Sequence, residues 1–375
     1  MTEKRRDIFD YAYETAVRTL FKCVTDRGMY ASGGKKGYKG VWSRDSIITF
    51  LGASLVKKEK KRLKECFKKS LITLGENQSE KGQIPNAVHG FEQNQKIVDY
   101  GSIDSSLWFI IGHYIYKKRY RDNSLFKKYK KNIKNAFNWL TYQDVGEDLM
   151  LEQLPTSDWQ DAFPHRYGKT INTQALYYKV LNLVGERKKA KKLKFNVNLA
   201  PEIKLWGISF YYAYRWKNHN KYKEIGDWFD SFGNLLAVLF DLAEKKQAEK
   251  ILLYILRNRV NKPYPVRTIH PPITKRSDYW RDYYLDCDAK NPHHYLNGGI
   301  WPFIGGFYIL ALIKLKKFKQ AKKELKILAE SNVKGNVFPE WINPIDRRTH
   351  GFFQAWSAGT YILAYESLKK KKVLL

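Results

Sequence analysis

Apolar residues recur three and four positions apart in about a dozen separate segments, near residues 5–24, 44–56, 60–75, 103–117, 124–141, 170–184, 206–217, 229–241, 245–258, 299–316, 318–331 and 353–371. Strand-like alternation is scarce. The segments also alternate in kind. Those at 103–117, 170–184, 299–316 and 353–371 are apolar and aromatic almost all round, whereas 60–75, 124–141 and 318–331 carry a lysine-rich face. A helix that is apolar on every side must be enclosed, and one with a charged face must border water. Enclosed and peripheral helices taken in turn predict an all-α fold of six helical hairpins in two concentric rings, an (α/α)6 toroid.

At 375 residues the chain exceeds the usual length of one domain. A closed helical barrel is an architecture that holds so long a chain in one unit, and no Pro/Gly/Ser linker divides the sequence, so a single domain over 1–375 is expected. The connections are unequal. Loops rich in Gly, Pro, Trp, Asp and His at 33–45, 81–104, 154–170, 291–302 and 337–356 precede enclosed helices, while short lysine-rich turns join the others. Long loops that all enter inner helices gather at one end of a barrel, where these would form an aromatic and acidic cup.

Composition narrows the setting. Hydrophobic residues make up 43% of the chain and aromatics 15%, enough for a large core with aromatics left over for a binding surface. No run of about 18 apolar residues occurs and the N-terminal stretch is charged, which predicts a soluble, cytoplasmic protein without a membrane span. Cys23, Cys66 and Cys287 are odd in number and lack metal-ligand spacing, so free thiols in a reducing compartment and no structural zinc are expected. The net charge is +31. Its lysines are spread over nearly every helical face instead of one tail or recognition helix, which reads as decoration of solvated faces and disfavours a nucleic-acid partner. Nothing in the sequence fixes an oligomeric state.

Most of the 37 acidic residues sit among lysines, where they are solvated partners, but a few lie in the aromatic loops. Asp161 follows Asp158 and Trp159 and precedes Phe163, surroundings that desolvate a carboxyl and raise its pKa towards that of a general acid. Glu340 lies between Pro339 and Trp341, an unusual place for a solvated glutamate, and is the better candidate for a base. Arg44 and Asp45 follow Trp42 closely and could form an oriented pair for sugar hydroxyls or a buried ion pair. Asp104 opens an otherwise apolar helix, so it either caps that helix or faces the cup. Trp301, shortly after Asn297, and Trp356, after Gln354, would stack on a sugar ring or pack in the core. His165 and His293–His294 lack the spacing of a zinc site, and neither a phosphate-binding loop nor a G-x-S-x-G elbow is present.

Laid out in order, these blocks resemble the amylo-α-1,6-glucosidase, or glycogen-debranching, branch of the six-hairpin glycosidases, which is also similar to neutral invertases and mannosylglycerate hydrolases. A W-x-R-D block is matched by Trp42, Arg44 and Asp45, G-x-I-P-N by Gly82 to Asn86, and Y-x-x-x-D-x-x-L-W by Tyr100, Asp104, Leu107 and Trp108. The block that carries the family's acid, followed by G-K, is matched by Trp159-Gln160-Asp161 and Gly168-Lys169. G-x-x-W-P is matched by Gly298 to Pro302, and P-E followed by Q-A-W-S by Pro339-Glu340 and Gln354 to Ser357. The resemblance implies an inverting hydrolase with Asp161 as acid and Glu340 as base. It implies sugar contacts by Trp42, Arg44, Asp45, Asp104, Trp159, Lys169, Asn297, Trp301, Gln354 and Trp356. Water would be the nucleophile, so no metal or organic cofactor is implied, and the partner is an oligosaccharide or glucan. Debranching enzymes usually carry a further N-terminal region, whereas this sequence opens on barrel helices, so a short disaccharide or glycoside would suit it equally well. A carbohydrate- or polyanion-binding barrel without catalysis is the alternative from another class.

Overall fold

Helices occupy all but one of the segments whose apolar spacing predicts them. In the computed structural model, which describes residues 7–375 apart from 35–36, 220–221, 288–289 and 336, they are α1 (Ile8–Cys23), α2 (Ser43–Ala53), α3 (Lys60–Glu76), α4 (Asp104–Tyr120), α5 (Ser124–Lys128), α6 (Lys130–Thr141), α7 (Ile171–Val184), α8 (Arg187–Asn198), α9 (Ser231–Leu239), α10 (Lys245–Arg257), α11 (Pro302–Lys314), α12 (Phe318–Val333) and α13 (Ala355–Lys369).

Burial sorts them into two rings. Every residue of α2 and α9 is buried, as is every residue of α11 except Lys314. With α4, α7 and α13 they close a circle in which α2 packs on α4, α4 on α7, α7 on α9, α9 on α11, α11 on α13 and α13 back on α2. The outer helices bury a single stripe each. In α3 that stripe is Leu63, Cys66, Phe67, Ser70, Leu71 and Leu74, three or four apart, and the intervening lysines face water. Where α2 meets α13 the backbones touch, because a Cβ on Gly52 would fall 1.8 Å from the carbonyl oxygen of Gly359. One continuous apolar core runs through both rings, from Ala12 to Ala364. Truncating one of its fully buried aromatics, such as Phe307, to alanine would cost about 3–5 kcal/mol.

Each inner helix is entered through a long connection, at 24–42, 77–103, 142–170, 199–230, 258–301 and 334–354, and left through a short one, such as 54–59 or 315–317. In an up-and-down barrel this puts all six long connections at the end where inner helices begin. Short antiparallel pairings fasten them together: Gly40–Trp42 with Ala87–His89, Lys169–Thr170 with Tyr212–His219, and Ile300 with Ile342 of the hairpin that Trp341–Ile342 forms with Thr349–His350. A satellite cluster of Phe163, Tyr214, Trp228, Ile269, Ile273 and Tyr284 packs three of these connections against one another.

Two segments differ from the sequence expectation. The predicted helix at 206–217 is instead largely the first arm of a β-ribbon, Tyr212–His219 paired with Tyr222–Asp230. Aromatic side chains suit a pleated surface, and the third and fourth neighbours on a helix here would have mixed Tyr, Trp and Arg on one face. Helix α8 escaped the periodicity because its apolar stripe is only Ala190, Leu193 and Val197 amid lysines. Among the described residues no helix is long and apolar enough to cross a membrane.

Candidate active site

The first turn of α2 supplies the anchor. Its strand-like entry pairs Trp42 with Ala87 and leads straight into Arg44 and Asp45, so both are fixed by the helix start. Arg44 is 4% exposed and its Nη1 donates to both carboxylate oxygens of Asp104 at 3.0 Å. Asp104, wholly buried in the first turn of α4, also accepts from the Ser102 hydroxyl. A carboxylate there is tolerated because a guanidinium, a hydroxyl and the positive end of α4 all face it. The other edge of Arg44 is less satisfied, with Nε 3.9 Å from Asp45 and Nη2 4.0 Å from Asp161.

A second arginine anchors the loop that carries Asp161 without touching Asp161 itself. Fully buried Arg166 donates to Asp158 through Nη2 at 2.7 Å and Nε at 3.3 Å, and through Nη1 to Asp230 at the start of α9. Asp158 also accepts from the backbone N–H of Gln160 at 2.9 Å, which fixes the turn that presents Asp161. The Arg166 guanidinium lies 5.7 Å from the ring of Trp159. The tip of this loop is thereby clamped to α9.

Glu340 stands at the mouth of the small hairpin before α13. Its N–H donates to the His350 carbonyl at 2.9 Å, and the next residue, Trp341, stacks on the His350 ring with centroids 3.9 Å apart and planes within 3°. Gly351, at φ +65°, leaves room for it, since a Cβ there would come within 2.8 Å of the Glu340 Cβ. Tyr38 donates its hydroxyl proton to Glu340 Oε1 at 3.3 Å.

Asp161 and Glu340 line one pocket with Trp42, Arg44, Asp45, Trp159, Trp301, Gln354 and Trp356, and with Ala31, Tyr38 and Tyr295. Four of the six long connections contribute. Trp159, Trp301 and Trp356 are nearly enclosed and pack edge to face, with centroids 6.0 Å and 5.6 Å apart along the series. Their indoles keep bulk water from the inner wall. The Nε1 donors of Trp159 and Trp356 have no protein partner.

This enclosure shifts three acids together. Burial pushes the Glu340 carboxyl up to about 7, the hydrogen bond from Tyr38 opposes that, and the charges of Asp45 and Asp161 add to it. Desolvation likewise raises Asp161 to about 6, against the pull of Arg44 and with the push of Asp158 and Asp104, although half of its side chain opens to solvent at the pocket mouth. Asp45 rises to about 6, by burial first and despite Arg44. Groups so coupled titrate as a set. Near neutral pH the pocket can hold one carboxylic acid and one carboxylate at once, which is what proton donation to a leaving oxygen and activation of water require.

The remaining residues expected to contact sugar lie elsewhere. Asp104 sits behind Arg44 and does not line the pocket. The Lys169 ammonium is bound by Asp148, with Glu152 at 3.8 Å. Asn297 is fully buried and its amide bridges the backbone N–H and carbonyl of Ile273 at 2.8 and 2.9 Å, which shapes the connection before Trp301. Sequence reasoning missed Tyr38 and Tyr295. Tyr295 adjoins the His293–His294 pair and Tyr38 the glycine-rich stretch, so proximity to those loops was the only signal available.

The sequence matches the family described as amylo-alpha-1,6-glucosidase over residues 15–363. It is 30% identical over 149 residues to alkaline/neutral invertase C, mitochondrial, of Arabidopsis thaliana, a stretch that covers 38% of this chain and 22% of that protein. It is 31% identical over 144 residues to neutral/alkaline invertase 1, mitochondrial, of Oryza sativa subsp. japonica, covering 36% and 22%. The matched stretch thus spans about a fifth of the length of these curated relatives. Among solved structures, the rhamnosidase from Klebsiella oxytoca with rhamnose bound superposes with a TM-score of 0.68 at 15% identity, over 99% of this chain and 65% of that one. The mannosylglycerate hydrolase from Thermus thermophilus in complex with glucose gives 0.67 at 13% identity, over 94% and 99%. At such identities the likeness is one of fold, the (α/α)6 toroid.

Proposed function

The chain belongs to the amylo-alpha-1,6-glucosidase family, and from that premise we propose that it hydrolyses an α-glucosidic bond with inversion, Asp161 acting as acid and Glu340 as base. The observation that carries this reading is the meeting of two carboxyls, delivered by connections far apart in sequence, in one tryptophan-walled pocket. Asp161 would give its proton to the departing glycosidic oxygen while Glu340 takes one from water on the opposite face of the ring. Arg44, between Asp45, Asp104 and Asp161, would hold the acid's orientation and steady its charge after the proton has left. Tyr38 would keep Glu340 pointed at the water.

The raised values alone do not divide the roles, because Glu340 lies above Asp161. The division follows the family blocks. A substrate whose leaving group needs no proton separates them: on α-glucosyl fluoride, Asp161→Asn should keep much of its rate and Glu340→Gln should lose it. The reverse pattern would exchange the two assignments. Substrate choice is tested by product chromatography after incubation with isomaltose, maltose, sucrose, trehalose and mannosylglycerate; release of glucose from the α-1,6 and α-1,4 disaccharides in preference to the others is expected. Preferential cleavage of sucrose or mannosylglycerate would replace the glucosidic reading, and turnover of none would remove the enzymatic one. The free cysteines, two of them buried, fit work in a reducing compartment such as the cytoplasm.

A further inference from the structure

A second cavity opens on the far side of the Asp161 connection. It lies between the connections entering α4 and α7, with a volume of about 670 Å³ against about 110 Å³ for the catalytic pocket. The two share a partition: the Ile103 N–H donates to the Ser157 carbonyl at 2.7 Å, and both residues line the outer cavity one position before Asp104 and Asp158.

Its chemistry differs from that of the surrounding surface. Lysine and arginine make up 68 of the 375 residues, yet neither occurs among the 16 residues that line it. Its one acidic group, Glu152, stands 3.8 Å from the Lys169 ammonium. A site stripped of cations in so basic a chain is unsuited to phosphates, carboxylates or nucleic acid. What remains is aromatic, aliphatic, hydroxyl and amide, with tyrosines, tryptophans and glutamines making up nearly half of the lining. Trp139 and Trp216 both line the cavity and are part-exposed, and Trp216 packs edge to face on Tyr167 at 5.7 Å. Gln153 is 7% exposed; its Oε1 accepts from Thr170 and Thr173, and its Nε2 donor has no partner. A buried donor without an acceptor is costly, and the protein supplies none for it. At the rim Leu154 is 76% exposed. Flat indole faces for C–H surfaces, with amides for hydroxyls and no ionic partner, are the recognition chemistry of a neutral carbohydrate.

We propose that this cavity is a second carbohydrate site that holds a run of sugar rings of a neutral α-glucan while another part of the chain occupies the catalytic pocket. The α-glucan identity rests on the hydrolase reading above; the site itself does not. Because the partition carries Asp104 and Asp158, glucan bound outside also braces the loop that presents Asp161.

The test uses the full chain carrying Asp161→Asn and labelled with 5-fluorotryptophan, titrated with maltoheptaose and followed by fluorine NMR. Trp216→Phe and Trp139→Phe identify the two resonances. Both are expected to shift on titration. Trp216→Ala and the rim variant Leu154→Arg, which has no buried contact to lose, should each weaken maltoheptaose binding about tenfold. With Asp161 intact, the same two variants should turn over α-glucosyl fluoride within about twofold of the parent rate, because a single ring does not reach the outer cavity. Three results would overturn the proposal: no shift at Trp139 and Trp216, undiminished affinity in both variants, or an equal loss on the fluoride. If the resonances shift but no glycoside is hydrolysed, the outer site stands and the hydrolase reading falls.

Discussion

Arg44 and Arg166 are both buried and both hold aspartates, yet they serve different ends. Arg166 is saturated: its three nitrogens face Asp158 and Asp230, every group is inside the protein, and the cluster ties one connection to α9. Arg44 is saturated on one side only. Asp104 takes up Nη1 at 3.0 Å, while Asp45 and Asp161 stand at 3.9 and 4.0 Å around an edge that faces the pocket. A closed cluster maintains geometry, and one left partly open has capacity to receive a ligand or answer a change of charge. The first would be fixed by stability and the second by chemistry, and that division can be broken experimentally.

The largest effects are expected at the carboxyls beyond the open edge. Asp161→Asn and Glu340→Gln should each lower kcat/KM on a natural glucoside by about 10²–10⁴-fold, with thermal unfolding no less cooperative than in the parent. Ordinary turnover by either variant would end the assignment. Next come the arginines themselves. Arg166→Met strands two buried carboxylates and should destabilise the fold by about 3–5 kcal/mol in urea titration. Arg44→Lys keeps the charge but loses the fork that spans Asp104 and the pocket; it should leave stability closer to the parent and reduce kcat more than it raises KM. Should Arg166→Met unfold no earlier than Arg44→Lys, the contrast between closed and open clusters is wrong.

Only one side of this contrast was readable from the sequence. The inner ring was legible because a helix buried all round leaves an unmistakable apolar run, as α11 does from Pro302 to Ile313. Asp161, Glu340 and the Trp42–Arg44–Asp45 block stood out because acids and arginines among aromatics contradict their own solvation. Arg166 was not legible. It sits in a loop beside His165 with no pattern to show that its partners lie before it at Asp158 and far beyond at Asp230. Lys169 shows the same limit from the other side, since the spacing that matched a family block could not reveal Asp148 folding onto its ammonium. Tertiary pairing of charges is a long-range property, and local patterning carries little of it.

A smaller effect concerns pH. Glu340 has a folded pKa raised to about 7 from 4.5, by burial above all. The folded state therefore binds this proton more tightly than the unfolded chain does. Its contribution is fully favourable below about 4.5 and is lost as pH rises through about 7. Glu340→Gln removes the carboxylate that burial disfavours, so at about pH 8 the inactive variant should melt higher than the parent, and the gap should close towards about pH 4. A gap that persists unchanged across that range would mean that packing, not charge, is responsible.

The smallest expected effect lies at Tyr38, and it reports directly on which carboxyl must be ionised. The Tyr38 hydroxyl donates to Glu340 at 3.3 Å and so favours the carboxylate, lowering a pKa that burial has raised. Tyr38→Phe deletes that donor alone, leaving the ring against Trp42. The Glu340 pKa should then rise further. If Glu340 is the base, activity requires its ionised form, so the ascending, low-pH limb of kcat/KM should move to higher pH while the rate at the optimum falls only about twofold to tenfold. If Glu340 were the acid, the same substitution would instead extend the descending limb to higher pH and leave the ascending one in place. Which of the two limbs moves in one conservative variant thus distinguishes the roles of the two carboxyls without removing either.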